Sequence, residues 1–257
     1  MKTTLNGRVA TLVGDSPLNR AGKPALADSL KAQLIEALKE RIFAGTLKPG
    51  DALREMGLAR EYSISQATVR EALLQLEQLG LAVRMANRGT IVTKLTPQDV
   101  RDRLEIRSEL DPLAAVKASA RMTEDDFAYL ERLAKEISKD YKTPNYNFYE
   151  TSQIDFQFHR YIWQRSGSAI LCTTLEQVTL PLFAFIGLLR QVGVEERRTG
   201  DPHKPIIEAL RGRKARQITE VVRKHFENSY NHFIESNSDD LQATIEGRRP
   251  SPRGKSR

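Results

Sequence analysis

Tyr62-Ser63-Ile64-Ser65-Gln66-Ala67-Thr68-Val69-Arg70-Glu71-Ala72-Leu73 is the stretch on which the reading of this 257-residue chain turns. Ser65 is a good helix N-cap, because its hydroxyl oxygen can accept from a first-turn amide that has no partner inside the helix. Ile64, just before the cap, and Val69, four residues into the helix, have the spacing of a hydrophobic staple. Val69, Ala72, Leu73 and Leu76 share one face and pack inward, and Gly80 ends the helix. Gln66, Ala67 and Arg70 are left off the core face, near the helix N-terminus.

Upstream, a short helix is expected at about 55–61, with Leu58 and Ala59 inward. A short helix, a turn and a second capped helix with a polar first turn form the helix-turn-helix arrangement. Before it, Leu30, Leu34, Ile35, Leu38 and Ile42 make one apolar stripe on a helix over 28–44, closed by Gly45 and the turn Lys48-Pro49-Gly50-Asp51. After Gly80, residues 81–85 alternate weakly, Ala86-Asn87-Arg88-Gly89 can turn, and Thr90-Ile91-Val92-Thr93 is rich in β-branched residues. That hairpin reads as a wing with Arg88 at its tip, where Gly89 lets the backbone approach a sugar-phosphate edge. The pattern points to DNA, and alone it also describes two packed helices. On the DNA reading Ser65, Gln66, Thr68 and Arg70 contact bases or phosphates, and Arg88 and Gly89 contact from the wing. Arg70 is either a base reader or a phosphate anchor, and Glu71 is expected to orient a neighbouring Arg.

Composition narrows the alternatives. Forty Lys and Arg against 33 Asp and Glu give +7, a modest excess that agrees with a polyanionic partner. The last eleven residues hold Arg248, Arg249, Arg253, Lys255 and Arg257 and no acid, which makes either a DNA-touching or a merely solvated tail. One cysteine, Cys172, excludes an internal disulfide and a Cys-rich zinc module and agrees with a reducing compartment. The longest apolar run, 180–189, is about half a bilayer span and contains Pro181 and Gly187, and residues 1–20 have no apolar core of a secretory signal. Membrane, secreted and collagen-like classes are therefore excluded, and a cytoplasmic location is expected.

Past Lys94-Leu95-Thr96-Pro97, where Thr96 can cap and Pro97 can open a helix, the chain reads as almost wholly helical. Helices are expected over 96–121 (Val100, Leu104, Ile106, Leu110 and Leu113 inward), from a Thr123 cap to 141, over 144–166, 169–189, 202–211 and 214–235. In that second cap Asp126 makes a near-miss of the capping box. The fold class is thus mainly α: an N-terminal winged helix-turn-helix followed by an all-α antiparallel bundle. The expected organisation is a flexible arm at 1–25, a DNA-binding domain at 26–95, an all-helical domain at 96–237 (ligand-binding and dimerising on the family resemblance described below) and a basic flexible tail at 238–257.

The bundle region contains all four histidines, His159, His203, His225 and His232. Asp155 and His159 are four apart and project from one helix face. Spacing alone leaves open whether these are ligands or scattered surface and core residues. Three imidazoles and one carboxylate would suit a borderline divalent ion such as zinc, nickel or manganese. Phe156, Phe158 and Trp163 are read as bundle core.

The chain resembles a known family. Gly45-Thr46-Leu47-Lys48-Pro49-Gly50, Leu58-Ala59, Ser65 to Leu73, Leu76-Glu77, Gly80-Leu81 and Arg88-Gly89-Thr90 are similar to the winged-helix domain of the GntR regulators, over about residues 30–93. The family usually has Arg where this chain has Gln66, and Gln favours adenine whereas Arg favours guanine. Leu104-Glu105-Ile106-Arg107, Asp155 to Arg160, Gly167, His203 with Ile206-Ile207-Glu208-Ala209-Leu210, and His225 resemble the FCD ligand-binding domain of the FadR subfamily. Ser168 stands where the family usually has Asn, and His232 has no family counterpart.

The resemblance implies that Asp155, His159, His203 and His225 hold a metal and that Arg107 lies near the cavity. There its guanidinium would hold a carboxylate of a small organic acid, with a surface Arg paired to nearby acids as the other reading. It further implies a homodimeric, metabolite-responsive transcription factor on a palindromic double-stranded operator, with repression relieved by ligand as the commonest mode. Two alternatives stand beside it: a metal-dependent enzyme acting on a small carboxylate, and an architectural DNA binder without an effector.

Overall fold

A computed structural model of the chain describes residues 26–86, 89–140, 148–191 and 201–228. The element order is α1 (Leu26–Phe43), α2 (Glu55–Glu61), α3 (Gln66–Gln78), β1 (Ala82–Met85), β2 (Gly89–Val92), α4 (Pro97–Ser119), α5 (Glu124–Asp140), α6 (Phe148–Arg165), α7 (Ala169–Gln191), α8 (Lys204–Gly212) and α9 (Ala215–Phe226).

The N-terminal unit is a winged helix. Leu34 and Leu38 of α1 and Val69, Leu73 and Leu76 of α3 are buried in one core, with Ile64 packed against it as the staple requires. Ser65 Oγ accepts from the Thr68 amide at 3.1 Å, so the cap forms as expected. β1 and β2 pair antiparallel, from Ala82 opposite Val92 to Met85 opposite Gly89. Residues 50–53 add a third edge to this ribbon: the Leu53 amide donates to Thr90 O at 2.8 Å and the Val92 amide to Asp51 O at 2.9 Å. Thr90 Oγ1 donates to Glu77 at 3.1 Å, which ties the wing to α3.

Helix α4 begins at the Thr96 cap that the sequence marks. Thr96 Oγ accepts from the Asp99 amide at 3.1 Å and Asp99 accepts from the Thr96 amide at 2.7 Å, a capping box with Pro97 in the first turn. Thr123 and Asp126 repeat the device at α5, with bonds of 2.8 and 3.4 Å, so Asp completes the box that was expected to fall short. Phe127, Leu130, Ile137, Phe158, Leu182, Leu210 and Ile218 form the bundle core.

Two prolines sit inside helices, and each releases the carbonyl four residues earlier from its amide partner. Arginines from other helices take both. Pro181 frees Gln177 O, which accepts from Arg103 Nη1 at 3.0 Å; Pro112 frees Ser108 O, which accepts from Arg223 Nε at 3.3 Å.

Helix α7 belongs to both cores. Its Leu180 and Phe183 are buried with the winged helix, while Leu182 and Phe185 are buried in the bundle. The apolar run that is too short and broken to cross a membrane thus joins the two units, and no helix among the described residues is long and apolar enough for a span.

The inward face of α4 differs from the expectation. Ile106 and Leu113 are 43 % and 46 % exposed, whereas Val100, Arg107, Asp111, Ala114, Ala115 and Ala118 face the interior. The buried stripe keeps the helical period but is polar in the middle, so apolar residues alone give the wrong face there. The expected helix start at Pro144, the end of the last helix at Glu235, His232, Arg88 and the segments 1–25 and 238–257 lie outside the described residues.

Candidate metal centre and nucleic-acid interface

Three elements deliver the four candidate ligands. Asp155 and His159 lie one turn apart on α6, His203 stands at the N-cap of α8, and His225 lies in the last turn of α9. The local sequence fixes His203: Asp201 accepts from the His203 and Lys204 amides at 3.0 and 3.1 Å, which closes the turn that starts α8. The three imidazoles converge. Their ring centroids are 5.0–5.4 Å apart, and one nitrogen from each lies within 4.8 Å of the others. Asp155 Oδ1 lies 2.9 Å from His203 Nε2 and 3.5 Å from His159 Nε2. The four sequence-singled residues therefore meet at one place.

The chemistry of this cluster fits a cation. His203 is fully buried, and among the described residues its ring makes no hydrogen bond of proper geometry, its one close polar neighbour being the Asp155 carboxylate at Nε2. Buried polar groups are ordinarily satisfied, so such a ring points to a group that takes its lone pair. His225 Nδ1 lies 3.2 Å from Pro202 O. A carbonyl can only accept, so this contact is a bond when Nδ1 carries the proton, the tautomer whose Nε2 bears the lone pair. Burial holds His159 well below its ordinary value of 6.5; Asp155 opposes that shift, while His225, His203 and Arg107 add to it. His159 is thus neutral at pH 7, the form a metal requires.

Arg107 adjoins this cluster. It is fully buried, its Nε donates to Asp111 Oδ2 at 2.9 Å, and its guanidinium stacks over Phe226 at 4.2 Å. Trp163 Nε1 donates to the other Asp111 oxygen at 2.6 Å. Burial pushes the Asp111 carboxyl up, and Arg107 and the Trp163 N–H pull it back. This disposes of the surface pairing considered for Arg107. Asp111, Trp163 and Asp201 were not singled out as site residues in the sequence; the one available signal was the four-residue spacing of Arg107 and Asp111.

On the winged helix, Gln66 and Arg70 are exposed on the outer face of α3 as expected. Both are held by a residue the sequence did not single out: Glu55 accepts from Gln66 Nε2 at 2.9 Å and from Arg70 Nη2 and Nε at 2.9 and 3.3 Å. Thr68 Oγ1 lies 2.8 Å from Ser65 Oγ, so both hydroxyls also serve the cap. Gly89 opens β2 at φ +73° with no heavy atom within 4 Å of where a Cβ would stand, leaving the wing backbone approachable. Glu71 pairs with Lys31 at 3.5 Å and does not orient an Arg, because the nearest cation on that side comes from α1. Arg160 turns away from the histidines to pair with Glu176 at 2.6 Å.

A winged helix joined through one shared helix to a bundle with a polar, cation-ready centre defines a DNA-binding regulator with a sensor domain. Comparison with known proteins places it further. Residues 30–92 match the family described as bacterial regulatory proteins, gntR family, and residues 102–228 match the FCD domain. The chain is 28% identical over 202 residues to the uncharacterized HTH-type transcriptional regulator YdhC of Bacillus subtilis, covering 78% of this chain and 89% of that one. It is 30% identical over 151 residues to the HTH-type transcriptional regulator McbR of Escherichia coli, covering 58% and 67%. The solved structure of E. coli McbR superposes with a TM-score of 0.68 at 22% identity, covering 80% of this chain and 98% of that one. The chain belongs to the GntR family of transcriptional regulators and carries an FCD domain. The enzyme alternative falls with that membership, since the family and these relatives are regulators.

Proposed function

We propose that this regulator is a homodimeric, cytoplasmic repressor whose bundle binds a divalent metal through Asp155, His159, His203 and His225. A small organic acid completes the site, with Arg107 holding a carboxylate. Zinc, nickel and manganese are the candidate ions by donor type. Residues 26–95 serve as the DNA-binding module and 96–237 as the sensing and dimerising one, flanked by residues 1–25 and 238–257. Ser65, Gln66, Thr68 and Arg70 contact a major groove, with Arg88 and Gly89 at the wing. A two-fold dimer matches a palindromic operator half-site by half-site.

The observation that carries the sensing half is the convergence of three imidazoles, from α6, α8 and α9, to within 4.8 Å. Exposed Ile106 and Leu113 on α4 support a second copy as the dimer partner, since apolar side chains on one outer face gain by being covered. The acid acts on DNA affinity to the extent that it binds the DNA-competent and DNA-incompetent arrangements with different free energies.

Metal analysis of the purified protein, combined with a thermal-shift screen of small carboxylates, tests this reading. A stoichiometric divalent ion and an acid that raises the melting temperature by mass action are expected. The same acid is expected to weaken operator binding and raise transcription. Bound metal with no acid effect on operator affinity would favour the architectural alternative.

A further inference from the structure

Glu55 stands on α2, outside the recognition helix, yet its carboxylate holds two polar side chains that the N-terminal half of α3 presents outward, Gln66 and Arg70. Arg70 donates to it through Nε at 3.3 Å and Nη2 at 2.9 Å, and Gln66 donates through Nε2 at 2.9 Å. A carboxylate only accepts, so the Gln66 amide must turn its nitrogen to Glu55 and its oxygen away. Gln66 and Arg70 are one helical turn apart, so the three groups form one unit on one face.

The unit leaves the reading edges intact. Two of the five Arg70 N–H groups are engaged, and three remain to donate to a base edge. Gln66 keeps one N–H and its carbonyl oxygen, the pair that meets adenine N7 and N6. Glu55 instead removes freedom and charge. Arg70 is 56% exposed and would otherwise sweep toward any nearby phosphate, a contact that carries no sequence information. Glu55 is itself held below its ordinary carboxylate range, chiefly by Arg70 and then by Gln66, so the unit stays ionised at neutral pH.

We propose that Glu55 is a specificity-determining positioning residue, which fixes Gln66 and Arg70 as base readers and withholds Arg70 from service as a general phosphate clamp. The inference rests on the reading that α3 enters the DNA groove.

The test begins with selection from a randomised duplex library by the wild-type protein, which supplies a preferred duplex; a shuffled duplex is the non-specific competitor. Glu55→Ala and Glu55→Gln are expected to lower the ratio of specific to non-specific affinity by about tenfold, a usual size for coupling within a hydrogen-bonded group. Non-specific affinity is expected to rise, and its dependence on salt to steepen by about one counterion as Arg70 reaches a phosphate. In a Gln66→Ala/Arg70→Ala background the same Glu55 changes are expected to leave the ratio unmoved, which a merely structural role would not produce. Glu55→Gln keeps the side chain's size, and its melting temperature reports that the fold is intact. A ratio within twofold of wild type in both single variants would overturn the proposal while leaving DNA binding in place. A wild-type protein that selects no duplex would overturn the DNA reading as well.

Discussion

Gly80, which follows the recognition helix, lies directly against Pro181 of α7: a Cβ at Gly80 would stand 3.0 Å from the proline Cγ and 3.1 Å from Gln177 O. The end of the DNA-reading element thus touches the helix whose other residues line the bundle core. Gly80 also has φ +74°, a backbone conformation that costs a side chain about 1–3 kcal/mol. Gly89, at φ +73° with open space around it, carries the backbone cost alone. Gly80→Ala is therefore expected to lower the melting temperature more than Gly89→Ala. Equal losses in thermal unfolding would show that the contact with α7 is not tight.

His203 is a fully buried ligand candidate whose ring faces Asp155 and makes no hydrogen bond of proper geometry among the described residues. His203→Ala is expected to strip the metal, as measured by metal analysis after dialysis, while circular dichroism stays helical. Full occupancy in the variant would remove His203 from the ligand set.

Local signals made most of the fold legible. Ser65, the Thr96 and Asp99 pair, and Pro97 act within a few residues of themselves, and each does in the structure what its spacing implies. The α4 face was not legible, because its inner stripe carries Arg107 and Asp111 where hydrophobic periodicity looks for Ile106 and Leu113. The histidine cluster was legible through family resemblance alone, since its members come from three helices and no short-range rule joins them. Glu55 and Asp201 escaped notice for a related reason. An acid in a helix's first turn or a loop is ordinary until the fold shows what it holds.

The metal-free protein is expected to lose stability in acid through His159. Its folded pKa lies well below 6.5, while the unfolded chain takes up the proton near that value. Below pH 6.5 the unfolded state therefore binds more protons, and stability falls as pH falls from 6.5 toward the folded pKa. Above 6.5 both states are neutral and this contribution is constant. Melting temperature measured against pH without metal is expected to drop below 6.5, and His159→Gln to flatten part of that drop. A wild-type profile that stays level down to pH 5 would contradict the buried, neutral imidazole.

Phe156 is a second link between the two units, beside α7. It follows the candidate ligand Asp155 on α6, and its ring packs edge-on against Trp163 at 5.8 Å and Phe183 at 6.2 Å. Trp163 bonds Asp111, the partner of Arg107, while Phe183 is buried in the winged-helix core. A shift of α6 on closing around a cation and an acid would thus press on the DNA-binding unit through one aromatic ring, and coupling carried by packed side chains is commonly altered by about 0.5–2 kcal/mol on mutation. Phe156→Leu keeps an apolar group in place but removes the flat edge. It is expected to retain metal and operator binding while shrinking the acid's effect on operator affinity about two- to thirtyfold. Operator titrations with and without the acid measure this directly, and an undiminished effect would mean that the signal reaches α3 by the Gly80 and Pro181 contact without Phe156.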